Sequence, residues 1–247
     1  MITPKSIFIT GGTSGIGLTC AKIFKQEGYR VGVCGRNEEV LDSLSKEFKT
    51  YKVDVTDLVQ ISNAIKDFSR DGLDVVYANA GIGYEHKTKK PNFEKAREII
   101  DVNINGTLNT FEAALEYFEQ QGFGHLVATG SVAGLNGLPG VCAYSGSKSA
   151  IIKICESLRI DLEDQNIHIT CINPGFIDTP LTQKNPHSMP FLTSAEDLAK
   201  EIFKGVEKKK DTIYFPRLFS SLVLILSLLP RKIYKKIIKT KSLNYSK

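Results

Sequence analysis

The stretch TGGTSGIG, residues 10–17, decides the fold class of this 247-residue chain. A short apolar run at residues 6–10 leads into it, and residues 16–27 then repeat apolar side chains at helical spacing. The next apolar run covers residues 31–34. A strand, a glycine-rich turn, a helix and a second strand in this order predict two parallel strands joined by a right-handed crossover.

The same alternation continues along the chain. It predicts helices at residues 40–48, 58–70, 94–121 and 145–165, and strands at residues 51–55, 73–78, 125–129, 168–172 and 212–215. We therefore predict an α/β fold, a single Rossmann-type doubly wound parallel sheet of about seven strands with helices on both faces. This domain covers residues 1–216, and an apolar then basic helical appendage follows at residues 217–247.

The net charge of +5 is unevenly distributed. Residues 231–247 hold seven Lys or Arg and no acidic residue, so residues 1–230 hold 25 basic and 27 acidic side chains, a net charge of −2. The main body is thus slightly acidic, and we expect no nucleic-acid partner. With 42% hydrophobic and 24% charged residues, the composition is that of a globular protein and argues against disorder.

Cysteine and histidine spacing gives no sign of a metal site. The five cysteines form no CxxC pair, so we expect buried, reduced thiols, with packing favoured for Cys142 over a place at the edge of a cleft. The histidines show no metal-binding spacing: His86, His125, His168 and His187. The first residues lack the pattern of a signal peptide, so we expect a cytoplasmic protein.

The glycine-rich stretch suits a phosphate group. Glycines let the backbone approach a pyrophosphate, and the first N–H groups of the following helix meet its charge. Alone, the stretch also fits an ordinary strand-to-helix turn, but its position after the first strand favours dinucleotide binding. The Gly-Lys-Ser/Thr ending of a P-loop is missing.

Arg36 follows the second predicted strand, where dinucleotide folds distinguish their two cofactors. An arginine there can pair with a 2′-phosphate, whereas an acidic residue accepts a hydrogen bond from a free 2′-hydroxyl. Glu38 and Glu39 are expected in the first turn of the next helix. A solvated loop arginine is the alternative, and we predict NADP as the preferred cofactor over NAD.

Tyr144 and Lys148 stand four residues apart on a predicted helix, so both project from one face. A phenol has a pKa of about 10, and a cation about 4–5 Å away can lower that pKa by about 2 to 3, which makes proton transfer feasible near neutral pH. A solvated Tyr/Lys pair is the alternative. Ser131 ends a predicted strand at the ligand-binding edge of the sheet, and Asn103 lies inside a helical stretch where Asn is unfavourable.

With these residues the chain resembles the short-chain dehydrogenase/reductase family over about residues 6–215. The resemblance is carried by TGxxxGIG, by NAG at residues 79–81, by the set of Asn103, Ser131, Tyr144 and Lys148, and by Pro-Gly at residues 174–175. It implies hydride transfer between a nicotinamide dinucleotide and a carbonyl or alcohol. In that family Tyr144 would be the general acid or base, Lys148 would lower its pKa and bind the nicotinamide ribose, and Ser131 would hold the substrate oxygen. Asn103 would keep its helix open around a water that relays protons.

The resemblance also implies a set of cofactor-binding residues. In addition to Arg36, Tyr144 and Lys148 these are Gly11, Thr13, Ser14, Gly15, Ile16, Gly17, Asp54, Val55, Asn79, Ala80, Gly81, Pro174, Gly175, Ile177 and Thr179. Many NADP-preferring members carry a basic residue where this chain has Ser14, so the NADP prediction depends on Arg36 alone. A homodimer or homotetramer and a substrate lid at residues 180–191 are implied as well.

The appendage combines the apolar run 218–229 with a basic amphipathic stretch at residues 231–239. Three roles stay open: contact of residues 218–239 with an anionic membrane surface, packing against the substrate pocket or another subunit, or a membrane span. The run of twelve residues is shorter than the roughly 20 that a span requires. We predict an NADPH-dependent reductase of an apolar or lipid-like carbonyl substrate, peripheral on the inner face of a membrane if the appendage binds there. The alternative is a catalytically silent NADP(H)-binding scaffold or redox sensor.

Overall fold

A seven-stranded parallel sheet forms the centre of the computed structural model, which describes residues 4–83, 92–184 and 189–239. The strand order is β3-β2-β1-β4-β5-β6-β9. Its strands are β1 (Ser6–Thr10), β2 (Arg30–Gly35), β3 (Lys49–Lys52), β4 (Val75–Ala78), β5 (Gly124–Thr129), β6 (Ile167–Pro174) and β9 (Thr212–Phe215). The short strands β7 (Ile177–Asp178) and β8 (Thr193–Ser194) pair separately. The chain reverses its direction across the sheet beside β1, where such folds bind their ligands.

Helices cover both faces of the sheet, which confirms the predicted fold class. They are α1 (Gly15–Gln26), α2 (Glu38–Leu44), α3 (Leu58–Phe68), α4 (Phe93–Ile100), α5 (Gly106–Gln121), α6 (Cys142–Asp161) and α7 (Ala195–Glu207). Because side chains alternate along a strand, Ile7 and Ile9 of β1 enter one apolar layer with α1 and α7, and Phe8 enters the other with α3 and α5.

Several predicted boundaries are wrong, and each error has a local cause. The predicted helix 94–121 contains a wider π-helical turn at Asp101–Asn105. The strand predicted at residues 51–55 pairs only over Lys49–Lys52, since Val53 and Val55 are buried in the turn that leads to α3. The helix predicted at residues 40–48 ends at Leu44, and that predicted at residues 145–165 covers Cys142–Asp161.

The predicted burial of all five cysteines is wrong at one position. Cys20, Cys34, Cys155 and Cys171 are buried free thiols, whereas Cys142 is exposed at the first residue of α6. The predicted substrate lid at residues 180–191 lies partly outside the described residues, and His86 and His187 lie outside them.

Two helices follow β9, namely α8 (Arg217–Ser227) and α9 (Arg231–Ile238). Both are attached to the body, since Ser220 of α8 and Tyr234 and Ile238 of α9 are buried. The Tyr234 hydroxyl donates to the carbonyl oxygen of Gly137 at 2.7 Å. Within the described ranges, no helix has the length and apolarity needed to cross a bilayer. The domain boundary near residue 216 stays a prediction.

Candidate active site

The predicted site residues meet at one cleft of about 320 Å³ at the carboxyl edge of the sheet. All of them line it except Gly17 and Asn103, which lie behind its wall. The residues of the prediction that line the cleft are Gly11, Thr13, Ser14, Gly15, Ile16, Arg36, Asp54, Val55, Asn79, Ala80, Gly81, Ser131, Tyr144, Lys148, Pro174, Gly175, Ile177 and Thr179. The sheet therefore collects residues that are up to 168 positions apart (Gly11 to Thr179) in the sequence.

The glycine-rich turn owes its shape to close backbone approaches. Gly11 has φ of +63° and lies so close to Ala80 that a Cβ would sit 2.8 Å from the Ala80 Cα atom. The Asn79 amide donates to the carbonyl oxygens of Thr10 and Gly11, each at 3.2 Å. Asn79 thus fixes the turn.

The N-terminus of α1 opens toward this turn. Ser14 is its N-cap residue, and its side chain makes no capping hydrogen bond. The first N–H groups of a helix have no partner within the helix, and the helix dipole favours an anion there. This arrangement fits the pyrophosphate of a dinucleotide.

Gly17 is the position in the turn where a larger side chain has the least room. A Cβ there would lie 2.3 Å from the Gly11 carbonyl oxygen and 2.5 Å from the Asn79 amide nitrogen. We expect Gly17→Ala to lower the free energy of unfolding by about 2–3 kcal/mol, because backbone atoms must shift. Dinucleotide affinity should fall more than tenfold, because the shifted backbone carries the N–H groups that face the anion.

The matched control for this change is Gly146→Ala, since a Cβ at Gly146 of α6 meets no atom within 4 Å. Alanine should stabilise that helical position by about 0.5–1 kcal/mol. Urea unfolding and fluorescence titration of both variants provide the comparison. Equal stability and equal affinity of the two variants would contradict this account of Gly17.

Arg36 lies at the end of β2 beside Asp54, with its guanidinium 3.7 Å from the carboxylate. Partial burial acts to raise the pKa of Asp54, but hydrogen bonds from Thr56 and the Arg36 charge together hold it below its ordinary value. Glu38 is turned away to Lys52, 2.5 Å from its ammonium, in the first turn of α2 as predicted. The cleft at this end therefore presents an exposed arginine with a carboxylate beside it.

Lys148 is buried on α6, one turn beyond Tyr144. Its ammonium donates to the carbonyl oxygen of Thr129 at 2.7 Å and lies 5.8 Å from the centre of the Tyr144 ring. Burial lowers the pKa of Lys148 to about 8. At pH 7 the side chain is still mostly a cation, held in the wall of the cleft.

The predicted fall in the Tyr144 pKa is not what the structure gives. Burial raises the pKa of the phenol above its ordinary value, and the Ser131 hydroxyl beside it acts in the opposite direction. The ammonium of Lys148 points to Thr129 and not to the phenol oxygen, which is why its charge does not dominate. Tyr144 is consequently a neutral proton donor at pH 7.

Ser131 and Asn103 are buried and fixed by the backbone around them. The Ser131 hydroxyl accepts a hydrogen bond from the Ala133 N–H at 3.1 Å, directly after β5. Asn103 lies in the π-helical turn, where its amide group exchanges two hydrogen bonds with the backbone of Ile82 and donates to the Ser147 hydroxyl at 3.0 Å. Asn103 thus ties the helix that carries Tyr144 to the loop after β4.

Sequence reasoning missed part of the wall. The missed residues that line the cleft are Gly35, Val53, Ile82, Val102 and Thr129, whereas Pro180, Leu181 and Thr182, which also line it, belong to the predicted substrate lid. Most are neighbours in sequence of a predicted residue, so the signal that could have found them is their place at the end of a strand. Among the described residues, no group of three or more His, Cys, Asp or Glu could hold a metal ion.

Comparisons with known proteins agree with this geometry. The model of the family "short chain dehydrogenase" matches residues 5–190. An uncharacterized oxidoreductase of Myxococcus xanthus (strain DK1622) is 35% identical over 221 residues, which are 86% of this chain and 87% of the relative. An uncharacterized oxidoreductase of Mycobacterium tuberculosis (strain ATCC 25618 / H37Rv) is 30% identical over 220 residues, 84% of this chain and 87% of the relative.

Solved structures are similar as well. The structure of ElxO with NADP bound is 26% identical and superposes with a TM-score of 0.77, covering 85% of this chain and 96% of ElxO. A short chain dehydrogenase from Burkholderia cenocepacia J2315 in complex with NADP superposes with a TM-score of 0.85 over 97% of this chain and 100% of the other. At 21% identity this second likeness supports the fold alone.

Proposed function

Since the chain belongs to the short-chain dehydrogenase family and is an oxidoreductase, we propose that it reduces an apolar ketone or aldehyde to an alcohol with NADPH. The observation that carries this proposal is the placing of three groups at one cleft: the neutral phenol of Tyr144, the hydroxyl of Ser131 and the cation of Lys148. A protonated phenol beside the Ser131 hydroxyl can donate a proton to a carbonyl oxygen, as reduction requires.

The dinucleotide supplies the hydride when it is bound. The glycine-rich turn and the N-terminus of α1 would hold its pyrophosphate, and the part of the cleft near Gly175 would hold its nicotinamide. The Ser131 hydroxyl orients the carbonyl oxygen of the substrate. Tyr144 gives its proton to that oxygen as negative charge develops there, and the Lys148 cation stabilises the phenolate that remains.

Two observations support NADP as the cofactor. Arg36 follows β2 and lines the cleft, and the structure of ElxO, to which this chain is similar, has NADP bound. A guanidinium pairs well with a 2′-phosphate. The neighbouring carboxylate of Asp54 orients Arg36 through their contact of 3.7 Å.

We expect Arg36→Ala to weaken NADPH binding about 10- to 100-fold, because one charge-assisted phosphate contact is lost. Binding of NADH should stay within about threefold, since NADH has no 2′-phosphate for the arginine to contact. Fluorescence titration of each dinucleotide measures both affinities, and Lys46→Ala on the surface after α2 is the control. If binding of NADPH and binding of NADH weakened equally, the assignment of Arg36 to the 2′-phosphate would be wrong.

Part of the cleft wall is apolar. Ile82, Val102 and Leu181 line the cleft, and the ring of Phe219 packs over Gly175. Such a wall favours hydrocarbon over polar substituents on either side of the carbonyl carbon. We therefore propose medium- or long-chain carbonyl compounds as substrates.

The second candidate is a catalytically silent NADP(H)-binding scaffold or redox sensor. A protein that only binds a dinucleotide has no need of the Tyr144 phenol or of the Ser131 hydroxyl beside it. The test is NADPH oxidation with a panel of ketones and aldehydes of increasing chain length. Turnover that rises with chain length supports the reductase, and NADPH binding without any turnover supports the scaffold.

We further propose that the protein works in the cytoplasm as a homodimer or homotetramer. This rests on its family membership alone. Light scattering of the purified chain and cell fractionation test the two parts separately.

A further inference from the structure

Helix α8 presents an apolar face that the rest of the described chain does not cover. Leu218, Leu222, Ile225 and Leu228 are 63%, 50%, 62% and 84% exposed. Their spacing of three or four residues places them on one side of the helix, and we call them the α8 face. The opposite side, with fully buried Ser220, packs on the body. Four large apolar side chains side by side in water are unusual on a protein that is complete without a partner.

The helix that follows α8 is basic. Tyr234 and Ile238 turn inward from α9, so that Lys232, Lys235, Lys236 and Lys239 are exposed. No acidic residue occurs anywhere between residues 217 and 239. The helix with the apolar α8 face is thus followed, after a link of three residues, by a helix that exposes four cations, which we call the α9 lysines.

Helix α8 also contacts residues beside the cleft. Phe219 of α8 has its ring 5.6 Å from that of Phe176 and 5.8 Å from that of Phe191, and it packs over Gly175 of the cleft wall. Phe191 and Leu181 are 48% and 42% exposed, and Leu181 also lines the cleft. Exposed apolar side chains therefore occur both on α8 and at the cleft.

We propose that the α8 face and the α9 lysines bind the surface of an anionic phospholipid bilayer. Helix α8 lies in the plane of the interface with its apolar side chains among the acyl chains, and the α9 lysines contact the headgroups. This orientation turns the mouth of the cleft toward the bilayer, so that an apolar carbonyl substrate enters from the membrane past Phe191. Only this last step rests on the proposed function.

The charges favour a bilayer over a second copy of the chain. Two copies that meet symmetrically through this face bring the two sets of α9 lysines toward each other, with no acidic residue between residues 217 and 239 to offset them. The face is also small, because a helix of 11 residues is only about 16 Å long. An anionic surface satisfies both the apolar face and the cations.

The test is sedimentation of the full chain with two kinds of vesicle. We expect binding to phosphatidylcholine vesicles that contain phosphatidylglycerol, weaker binding at high salt, and little binding to phosphatidylcholine alone. The double variant Leu222→Ser/Ile225→Ser should bind at least about 30-fold more weakly. Its control is Val59→Ser/Ile160→Ser, which changes two side chains that are 68% and 72% exposed elsewhere.

The charge is tested by Lys235→Gln/Lys236→Gln, which should weaken binding about 10- to 30-fold and reduce its salt dependence. Lys46→Gln/Lys66→Gln, two exposed lysines of the body, is the control and should bind as the wild type does. Each variant is also assayed for NADPH oxidation with a water-soluble ketone, which all of them should retain. This readout separates a failed docking surface from a failed reductase assignment.

Three outcomes overturn the proposal. The first is a full chain that stays in the supernatant with anionic vesicles at low salt. The second is equal binding by the α8-face variant and its control. The third is a larger oligomer that the Leu222→Ser/Ile225→Ser change dissociates while vesicles remain unbound, which would assign the α8 face to a second copy.

Discussion

Tyr144→Phe should lower kcat for carbonyl reduction about 10³-fold or more, because the variant keeps the ring but loses the phenolic proton donor beside Ser131. Dinucleotide affinity should change little, since the phenylalanine ring fills the same space against Gly83. The free energy of unfolding should fall by no more than about 1 kcal/mol, the worth of one hydrogen bond. The expected result is thus a stable protein that binds NADPH and does not turn over.

The measurement is steady-state NADPH oxidation together with fluorescence titration of NADPH. Tyr117→Phe is a matched control, because it removes a phenol that donates to the Ser69 carbonyl oxygen at 2.8 Å, away from the cleft. Tyr117→Phe should lower the free energy of unfolding about as much as Tyr144→Phe does, because each variant loses one phenol hydroxyl. It should leave kcat within about twofold of the wild type. Full turnover by Tyr144→Phe would rule out the mechanism given above.

Lys148→Met should have the second largest effect, and it separates activity from stability. Loss of the cation that stabilises the phenolate should lower kcat about 100-fold or more. Stability should rise instead of falling, because burial lowers the pKa of Lys148 to about 8 and the folded state bears the cost of a buried charge. At pH 7 that cost is up to about 3 kcal/mol, because the ordinary pKa of the lysine is 10.5. The hydrogen bond from Lys148 to the Thr129 carbonyl oxygen offsets part of this cost.

The difference in the free energy of unfolding between Lys148→Met and the wild type should depend on pH. The pKa of Lys148 is lower in the folded than in the unfolded state, so between about pH 8 and 10.5 the unfolded chain binds more protons. The stability advantage of Lys148→Met should therefore be greatest below pH 8 and disappear as the pH approaches 10.5. Urea unfolding at several pH values measures it, with the exposed Lys153→Met as the control. A methionine variant less stable than the wild type at pH 7 contradicts the account.

The parts of the structure that the sequence predicts well are those set by repeated patterns. Alternation of apolar runs with helical spacing is enough to predict the sheet, because buried parallel strands are apolar on both faces. Gly11 was found because a backbone that approaches a phosphate group needs glycine, and Asn79 was found through the family resemblance. The cleft then follows from where the strands end.

Other features depend on tertiary contacts that no local pattern contains. The π-helical turn exists around Asn103, whose side chain binds the backbone of Ile82, a residue 21 positions earlier. The direction of the Tyr144 pKa depends on burial and on where the Lys148 ammonium points, neither of which follows from their spacing of four residues. Cys142 looked like a packed thiol, yet it begins α6 at the surface.

The most direct test of the central claim is transfer of deuterium from NADPH in which both hydrogens on the reactive carbon of the nicotinamide are deuterium. With a medium-chain ketone and the wild-type protein, mass spectrometry of the alcohol should find one deuterium on the carbinol carbon for each NADPH consumed. Tyr144→Phe should give almost no labelled alcohol at equal NADPH occupancy. Unlabelled alcohol, or no alcohol from any carbonyl compound despite NADPH binding, would contradict the assignment of this chain as an NADPH-dependent carbonyl reductase.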